Sequence, residues 1–302
     1  MGNCCSCLTS ENKQDEAVVD ANPINQMFVK KANLEDLSYS TQPNESVNRN
    51  LAVLAIKERL FPFVFNEETT LEGNFEKVPG GQYKGHKNAF GKRTGSGIFI
   101  WEDGSEYIGS WENDKQNGYG RKIDKNGDCY EGEFLNDKPH GKGTMMHKDG
   151  SIYQGEWYDG NQHGFGTESW SDETKYCGNY FNGKKHGKGK FIWSDKSVFI
   201  GEFCNNKIEG SGTYTWNDGR VFKGEWKEDK MHGYGEFFWP NGRIYKGNYE
   251  FDKKEGYGEF FWADGKIYKG GWKEGKQHGK GQLIDSKGNI KDAEWAYGKI
   301  IN

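Results

Sequence analysis

The first seven residues have the side chains and spacing of a lipid-modification signal. The chain begins Met-Gly-Asn-Cys-Cys-Ser-Cys, so Gly2 follows the first methionine and Ser6 fills the Ser/Thr position of N-myristoylation signals. Cys4 and Cys5, with Cys7 as a further candidate, are the predicted acceptors of palmitate. One myristoyl chain binds a membrane only marginally, and stable attachment needs a second acyl chain or a basic cluster. We therefore predict a membrane anchor that carries both kinds of acyl chain.

The residues around this motif favour palmitate as the second signal. Residues 1–20 contain one lysine, Lys13, against four acidic side chains, so a basic cluster is missing. In the alternative interpretation the three cysteines form a metal-binding tip, but no histidine or further cysteine lies near them to complete a site. Cys129, Cys177 and Cys204 are scattered, which indicates a reducing compartment rather than a disulfide framework.

Histidines recur at one position of a repeating unit, which invites a metal hypothesis. In a sheet of hairpins this position returns about every 10 Å, whereas the ligands of one zinc ion lie about 2 Å from it. We therefore expect each histidine to hydrogen-bond the next turn and predict no metal site. The histidines concerned are His140, His163, His186, His232 and His278.

Two other segments resemble binding loops only superficially. Asp124–Asp128 begins like a calcium loop but lacks the rest of the loop and its twelfth-position glutamate. Gly91–Gly97 is rich in glycine but does not have the Gly-Lys-(Ser/Thr) ending of a phosphate-binding loop. No nucleophile, carboxylate pair or nucleotide motif stands outside the repeats, which continue to the end of the sequence. We expect no cofactor and no enzymatic activity.

A period of 23 residues organises the chain after residue 80. Each unit reads Tyr-x-Gly-x-aromatic, a polar stretch, Gly-x-Gly and an aromatic-rich stretch, and a truncated copy occupies Lys291–Lys299. Fixed repeats of this length indicate stacked supersecondary units. Nine full units begin at Tyr83, Tyr107, Tyr130, Tyr153, Tyr176, Phe199, Phe222, Tyr245 and Tyr268.

Each unit has the pattern of a short β-hairpin. Tyr153, Gly155 and Trp157 share one face of a strand by the period of two. Dipeptides such as Asp149-Gly150 and Asp218-Gly219 favour tight turns, although two-residue and three-residue loops both fit. One hairpin is marginal in water, so we expect the hairpins to pair edge to edge and their rings to cover glycines of the neighbouring unit. The prediction is an elongated, twisted, single-layer ribbon of antiparallel hairpins, roughly 90 Å long.

This pattern resembles the MORN repeat, the membrane-occupation-and-recognition-nexus family. The residues that carry the resemblance are best seen at Tyr130–Gly150 and Phe222–Gly242. Some copies depart from it: Glu173 and Lys196 replace the turn glycine, which makes the local turn geometry uncertain. Glu209 and Glu255 replace the histidine before Gly-x-Gly.

The segment before the repeats divides into four parts. Residues 1–7 are the anchor, and residues 8–45 are polar and read as a disordered tether. Residues 46–62 are a predicted amphipathic helix, with helical spacing at Val47, Leu51, Leu54, Ala55 and Glu58 and an end at Pro62. Residues 63–82 lead into the ribbon at 83–302. We expect the helix to cap the open N-terminal edge of the ribbon, with docking to a partner as the alternative.

The predicted function is a scaffold on the cytoplasmic face of a membrane, which recruits protein partners of the cytoskeletal or signalling kind. The resemblance implies precedents in junctophilins and apicomplexan cortical proteins. It also implies two alternatives: a structural beam of the ciliary axoneme, similar to radial-spoke head proteins, and a phosphoinositide-binding module. The candidate partner-binding rings are Trp216, Phe237, Trp239, Phe261 and Trp262, whose alternative role is stacking over glycine.

The charge distribution limits the partners. After residue 70 the basic and acidic residues are equal in number, which argues against nucleic acid and against a broad basic surface for anionic phospholipid. A local patch at Lys184, Lys185, Lys188 and Lys190 leaves lipid binding open. Pairing of two ribbons through their open edges into a homodimer is also left open.

Overall fold

The chain was analysed as a computed structural model, which describes residues 51–65, 71 and 73–301. The predicted anchor (1–7), the tether (8–45) and the first five residues of the predicted helix lie outside the described residues. In the described part of the chain, no helix is long and apolar enough to cross a membrane. The chain divides into Met1–Ser171, called unit 1, and Asp172–Asn302, called unit 2.

The described residues of unit 1 form one short helix and nine strands, and each strand pairs antiparallel with the next. The predicted lead-in at 63–82 supplies the first strand. The elements are α1 (Leu51–Arg59), β1 (Glu76–Val78), β2 (Gly81–Lys87), β3 (Arg93–Trp101), β4 (Glu106–Glu112), β5 (Lys115–Ile123), β6 (Cys129–Leu135), β7 (Lys138–Met146), β8 (Ile152–Tyr158) and β9 (Asn161–Ser169).

Unit 2 contains twelve strands with the same sequential antiparallel pairing. The predicted all-β repeat of antiparallel hairpins is confirmed. The strands are β10 (Lys175–Phe181), β11 (Lys184–Ile192), β12 (Val198–Cys204), β13 (Lys207–Thr215), β14 (Val221–Lys227), β15 (Lys230–Phe238), β16 (Ile244–Glu250), β17 (Lys253–Phe261), β18 (Ile267–Lys273), β19 (Lys276–Ile284), β20 (Ile290–Ala296) and β21 (Lys299–Ile300).

Two kinds of turn alternate along the chain. The predicted Asp-Gly turns are three-residue loops: Gly104 has φ of 84° and donates to the Trp101 carbonyl, while Trp101 donates to the Ser105 carbonyl. Between them lie two-residue turns such as Asn113-Asp114, with φ of 50° and 70°, in the stretch that the sequence analysis described only as polar. Both of the loop lengths left open by the sequence are therefore present.

The turns that lack glycine keep the geometry of the others. Glu173 and Lys196 have φ of 70° and 72°, close to the values of the turn glycines. Their side chains form an ion pair with each other, one repeat apart. The substitutions therefore leave the turn geometry unchanged, at the cost of a left-handed conformation that side chains rarely adopt.

The first ring of each repeat covers two glycines of the same repeat. Gly109 and Gly120 lie opposite each other across β4 and β5, and a Cβ on either would overlap Tyr107. The pairing register shifts just after Gly109, where the Tyr107 hydroxyl donates to the Ser110 carbonyl at 2.8 Å. The expectation that rings cover a neighbour's glycines was wrong, because strand pairing brings the two glycines of one repeat together. This face of the sheet is called the ring face, and the opposite one the reverse face.

The second ring of each repeat connects it to the preceding repeat. Trp111 packs edge-on against Tyr107, with centroids 5.0 Å apart, and its Nε1–H donates to the Gly97 carbonyl at 3.2 Å. Phe134 of the next repeat packs on the other side of Tyr107 at 5.1 Å. Each such contact contributes about 0.5–1.5 kcal/mol beyond area burial. The rings therefore supply the core that the few aliphatic residues cannot.

The helix packs on the reverse face of unit 1 and not on its edge. Val53, Ile56 and Leu60 are buried against Ile123, Cys129 and Met146, with Ile152 beside them. The predicted capping of the N-terminal edge was wrong, because the apolar residues that attract α1 lie on β5 to β8 and not at edge strand β1.

The predicted helix face and C-terminal end also differ from the structure. Leu51 and Leu54 are 76% and 41% exposed, so the stripe through them does not face the sheet. The helix ends at Arg59 rather than at 62. Phe61 precedes Pro62, and a residue before proline is disfavoured in helical conformation.

Candidate functional site

Four of the five predicted partner-binding rings lie in one continuous row on the ring face of unit 2. Centroids of successive rings are 4.3 to 5.7 Å apart, so each ring contacts the next. Four successive repeats each contribute two of the rings, at positions i and i+2 of the strand end, which share a face. The ring row consists of Phe191, Trp193, Tyr214, Trp216, Phe237, Trp239, Phe260 and Trp262.

The members of the ring row differ in exposure. Phe237 is only 6% exposed, whereas Trp216, Trp239 and Trp262 are partly exposed. The alternative role, stacking over glycine, belongs to the first ring of each repeat, whereas these rings stack on one another. The three tryptophans therefore offer flat aromatic surface to a partner, and Phe237 supports them from within the sheet.

Two arginines that directly follow three-residue loops flank Trp216 and Trp239. The Arg220 guanidinium lies 5.2 Å from the Trp216 ring centre and also donates to Asp218 at 2.7 Å. One repeat later, Arg243 lies 5.4 Å from Trp239. Cation–π contacts of this kind contribute about 0.5–1 kcal/mol at exposed sites. The row therefore combines aromatic surface with positive charge, which suits stacking with a partner's rings, prolines or carboxylate-bearing side chains.

A partly exposed lysine, Lys254, packs among the rings. Lys254 Nζ is 4.6 Å from the Trp272 ring centre and 4.8, 4.9 and 5.3 Å from those of Tyr245, Phe260 and Trp239. Burial, and secondarily the charge of Arg243, lowers the pKa of Lys254 from its ordinary 10.5 to about 8. This cation therefore packs against the rings of unit 2 and is partly withdrawn from solvent.

The four lysines at 184–190 do not share one surface either. Lys185 Nζ lies over the Tyr176 ring at 5.1 Å, on the ring face. Lys190 has Cys177 and Ile200 as cross-strand neighbours, which places it on the reverse face. The local basic patch left open by the sequence is therefore split between the two faces of β11.

The fifth predicted ring, Phe261, is on the reverse face. Its cross-strand partners are Ile244 and Ile267, and Ile244 is in turn paired with Phe238. Sequence reasoning missed Phe238, Ile244 and Ile267. The available signal was the adjacent pair Phe237-Phe238, because neighbouring residues of a strand point to opposite faces. These four side chains form an apolar group of their own, separate from the ring row.

The recurring histidines lie against the next two-residue turn, but the predicted hydrogen bond is not made by all of them, since His232 Nδ1 is buried without a hydrogen-bond partner. His278 Nδ1 accepts a hydrogen bond from the Tyr297 amide at 3.4 Å, and the His232 ring lies 4.9 Å from that of Phe251. In the same position Glu255 accepts from the Glu274 amide at 2.8 Å. Over the described ranges no group of three or more His, Cys, Asp or Glu is arranged to hold a metal ion.

The two loop motifs are ordinary repeat positions. Asp124 Oδ1 accepts hydrogen bonds from the amides of Asn126 and Asp128 at 2.8 and 3.0 Å, so this carboxylate stabilises the turn. Gly127 has φ of 93°, like the other loop glycines. In the glycine-rich segment, Gly97 lies under the first ring of its repeat like its counterparts.

The predicted lipidation residues, Gly2, Cys4, Cys5 and Cys7, lie outside the described residues. Their assignment continues to rest on the sequence.

The family model of the MORN repeat matches the chain at nine places, which cover more than half of it. The matched residues are 89–106, 107–129, 130–152, 153–175, 176–198, 199–219, 222–242, 245–267 and 268–290. The chain has no significant match among curated protein sequences.

Some solved structures show partial similarity. The TCP10 domain of Danio rerio CPAP is 11% identical, with 74% of this chain and 100% of that chain covered and a TM-score of 0.37. The SAS-4 TCP domain of Drosophila melanogaster, in complex with a proline-rich motif of Ana2, is 13% identical, with 60% and 100% covered and a TM-score of 0.33. TM-scores this low do not establish a common fold.

Proposed function

The chain belongs to the MORN-repeat family, whose repeats indicate a protein- or lipid-binding scaffold, and from this premise we propose that it recruits protein partners at the cytoplasmic face of a membrane. In this proposal the acylated N-terminal segment attaches the chain to the membrane, the repeats bind the partner, and the chain acts by binding rather than by catalysis.

The ring row carries the partner-binding half of the proposal. Exposed aromatic residues flanked by arginine are enriched where proteins bind other proteins. Trp216 and Trp239 have this environment, with Arg220 and Arg243 against their rings. In unit 1, Trp101 stacks on Phe99 at 4.7 Å, but the next repeat has Lys122 and Asp124 where the following rings would stand. The continuous row is therefore a property of unit 2.

The first seven residues support the membrane half of the proposal. Gly2 has the context for a myristoyl chain, and Cys4, Cys5 and Cys7 follow closely enough to take palmitate. Because the surrounding residues are acidic rather than basic, attachment depends on the second acyl chain.

The experiment compares the full-length chain with variants in living cells, using proximity labelling and membrane fractionation. We expect Gly2→Ala to release the chain from membranes and Cys4→Ser with Cys5→Ser to weaken attachment, whereas the control Ser10→Ala has no effect. A variant with all three changes that still sediments with membranes would reject acyl anchoring and favour direct lipid binding by the repeats.

The second arm of the same experiment tests the ring row. Trp216→Leu with Trp239→Leu is expected to remove a set of labelled neighbours while membrane attachment is kept. Trp101→Leu, the equivalent ring of unit 1, is the matched control and should keep those neighbours. An unchanged set of neighbours in the double variant would reject the ring row as the partner-binding surface.

A further inference from the structure

An apolar group on the reverse face of unit 2 repeats the site that α1 occupies in unit 1. In unit 1, Ile123 is paired with Cys129, Cys129 with Met146, and Met146 with Ile152. Five repeats of 23 residues later, Phe238, Ile244, Phe261 and Ile267 are paired in the same order. The two groups therefore hold the same positions on four successive strands.

The two groups differ in what covers them. Under α1, Ile123, Cys129 and Met146 are at most 3% exposed. Phe238, Ile244, Phe261 and Ile267 are all partly exposed, and none of the described residues forms a helix over them. This apolar group is therefore only partly covered, whereas Ile123, Cys129 and Met146 are buried.

The contacts of α1 show how a helix packs on this arrangement of four strands. Val53 and Ile56 of the helix, together with Leu60 directly after its end, face the sheet at spacing i, i+3 and i+7. Its backbone approaches the loop between β5 and β6 so closely that a Cβ on Gly127 would lie 3.1 Å from the Ala52 carbonyl oxygen. The equivalent loop glycine of unit 2 is Gly242, with φ of 84°, where a Cβ would meet only the Ala263 Cβ, at 3.9 Å, which is an ordinary van der Waals contact. The loop of unit 2 thus leaves the same room for a helix.

A row of charged residues beside the apolar group indicates the sign of the charge that a partner should carry. The reverse face next to it carries Lys223, Lys246 and Lys269 against Glu236 and Glu259. Glu236 and Glu259 lie 3.0 and 3.1 Å from Lys246 and Lys269, so three lysines face two glutamates. A partner with acidic side chains on this flank balances the remaining positive charge.

We propose that Phe238, Ile244, Phe261 and Ile267 form a docking site for an amphipathic helix of a partner protein, which lies across β15 to β18 as α1 lies across β5 to β8. The partner helix carries apolar side chains at i, i+3 and i+7 and acidic side chains on the flank that faces the lysines. Because Phe238 and Phe261 are larger than Ile123 and Met146, the facing side chains are smaller than those of α1. This site lies on the opposite face from the ring row and shares with the scaffold proposal only the premise of a protein partner.

The test is selection of displayed helical peptides on the purified, unacylated full-length chain. The library has peptides of about 20 residues, long enough for helix formation, with apolar residues of varied size at i, i+3 and i+7 and Glu or Lys on one flank. We expect enriched peptides to carry small apolar residues and Glu, and Phe238→Ser with Phe261→Ser to weaken their binding at least tenfold. The matched control is Phe251→Asn, which removes an exposed ring at a turn position where other repeats carry Asn.

A second variant tests the site without removing apolar contacts. Lys223→Glu is expected to shift the enriched peptides from Glu to Lys on the flank while thermal melting shows an intact fold. The proposal is overturned if substitutions at Phe238, Phe261 and Lys223 leave peptide binding unchanged. It is also overturned if the enriched peptides lack apolar residues at helical spacing. If the chain self-associates with rising concentration and the double variant Phe238→Ser with Phe261→Ser does not, the face binds a second copy of this chain instead. If the chain floats with anionic vesicles and the double variant does not, the face binds lipid instead.

Failure of this site and failure of membrane anchoring are distinguishable. Peptide selection uses protein without acyl chains, so its outcome does not depend on Gly2. Release of the Gly2→Ala variant from membranes, in turn, does not depend on Phe238 or Phe261.

Discussion

The reverse faces of unit 1 and unit 2 are built from the same strand positions but meet different surroundings. In unit 1 the group around Cys129 is buried under α1, and burial raises the pKa of the Cys129 thiol to about 12. In unit 2 the corresponding Ile244 remains partly exposed. The backbone is set by glycines and turns that both units share, so the side chains on this face are free to vary. The same repeat can therefore serve as core in one region and as a candidate docking surface in another.

The ring faces of the two units also differ, in the number of aromatic residues that lie next to one another. Unit 2 carries the continuous ring row, whereas unit 1 has Lys122, Met145 and Glu168 at positions where unit 2 has row members. The glycine-covering rings, however, run through both units without a break, since all are at most 3% exposed. The glycine-covering rings, which both units share, are therefore needed for folding, whereas the ring row is a surface feature of unit 2.

The largest expected effect tests the part that both units share. Gly120→Ala in unit 1 and Gly258→Ala in unit 2 place a methyl group where Tyr107 and Tyr245 lie. Each should lower the free energy of unfolding by about 3 kcal/mol or more, measured by chemical denaturation. Similar losses in both units are expected because the contact is the same. A loss in only one unit would show that the ring–glycine contact is not the common basis of the fold.

The next effect should be confined to unit 1. Ile56→Ala removes an apolar contact between α1 and the sheet and should cost about 2 kcal/mol. Hydrogen exchange should report the loss of protection in β5 to β8, with β15 to β18 unchanged. Leu54→Ala, on the exposed side of α1, is the matched control and should cost less than about 0.5 kcal/mol. Equal effects of the two substitutions would contradict the packing of α1 on the reverse face.

The smallest effect concerns one position on the ring face. In unit 1, Arg93 lies 4.4 Å from the Trp111 ring centre and pairs with Asp114 at 3.2 Å. In unit 2, Lys254 has the same position, but Gly275 stands where Asp114 would be. Lys254 therefore keeps its charge among rings without that carboxylate. Met231 occupies this position one repeat earlier, so Lys254→Met should be accommodated and should raise the free energy of unfolding by about 1 kcal/mol near pH 7.

The pH dependence of the stability gained by Lys254→Met distinguishes loss of the lysine charge from better packing as its cause. Because the pKa of Lys254 is about 8 in the folded chain and 10.5 ordinarily, the unfolded chain binds more protons between these values. Wild-type stability therefore rises from pH 8 to 10.5, and the advantage of Lys254→Met should disappear over the same interval. Thermal melts at several pH values measure this. A gain that does not change with pH would point to packing rather than to the buried charge.

Much of the fold could be predicted from the sequence because each requirement is local. The Tyr-x-Gly spacing placed the rings and glycines on one face, and Asp149-Gly150 marked a turn, since both depend on the period of a strand and the backbone freedom of glycine. The two-residue turns were missed because they share no constant glycine: Asn113-Asp114 contains none, whereas Asn182-Gly183 contains one. The candidate rings divide between the two faces of the sheet, because Phe261 and Trp262 were taken together although neighbouring residues of a strand point to opposite faces.

The order of the repeats, the turns and the rings over glycine follow from residues within one repeat or its neighbour, so the amino-acid sequence by itself determined them. Which helix residues are buried, and which stretch of the reverse face they cover, depends on contacts between residues about 70 to 90 positions apart, such as Ile56 and Met146. No local pattern encodes that choice. Only the tertiary structure decided it, by bringing the apolar stripe of α1 against the group around Cys129 and leaving the equivalent group around Ile244 partly exposed.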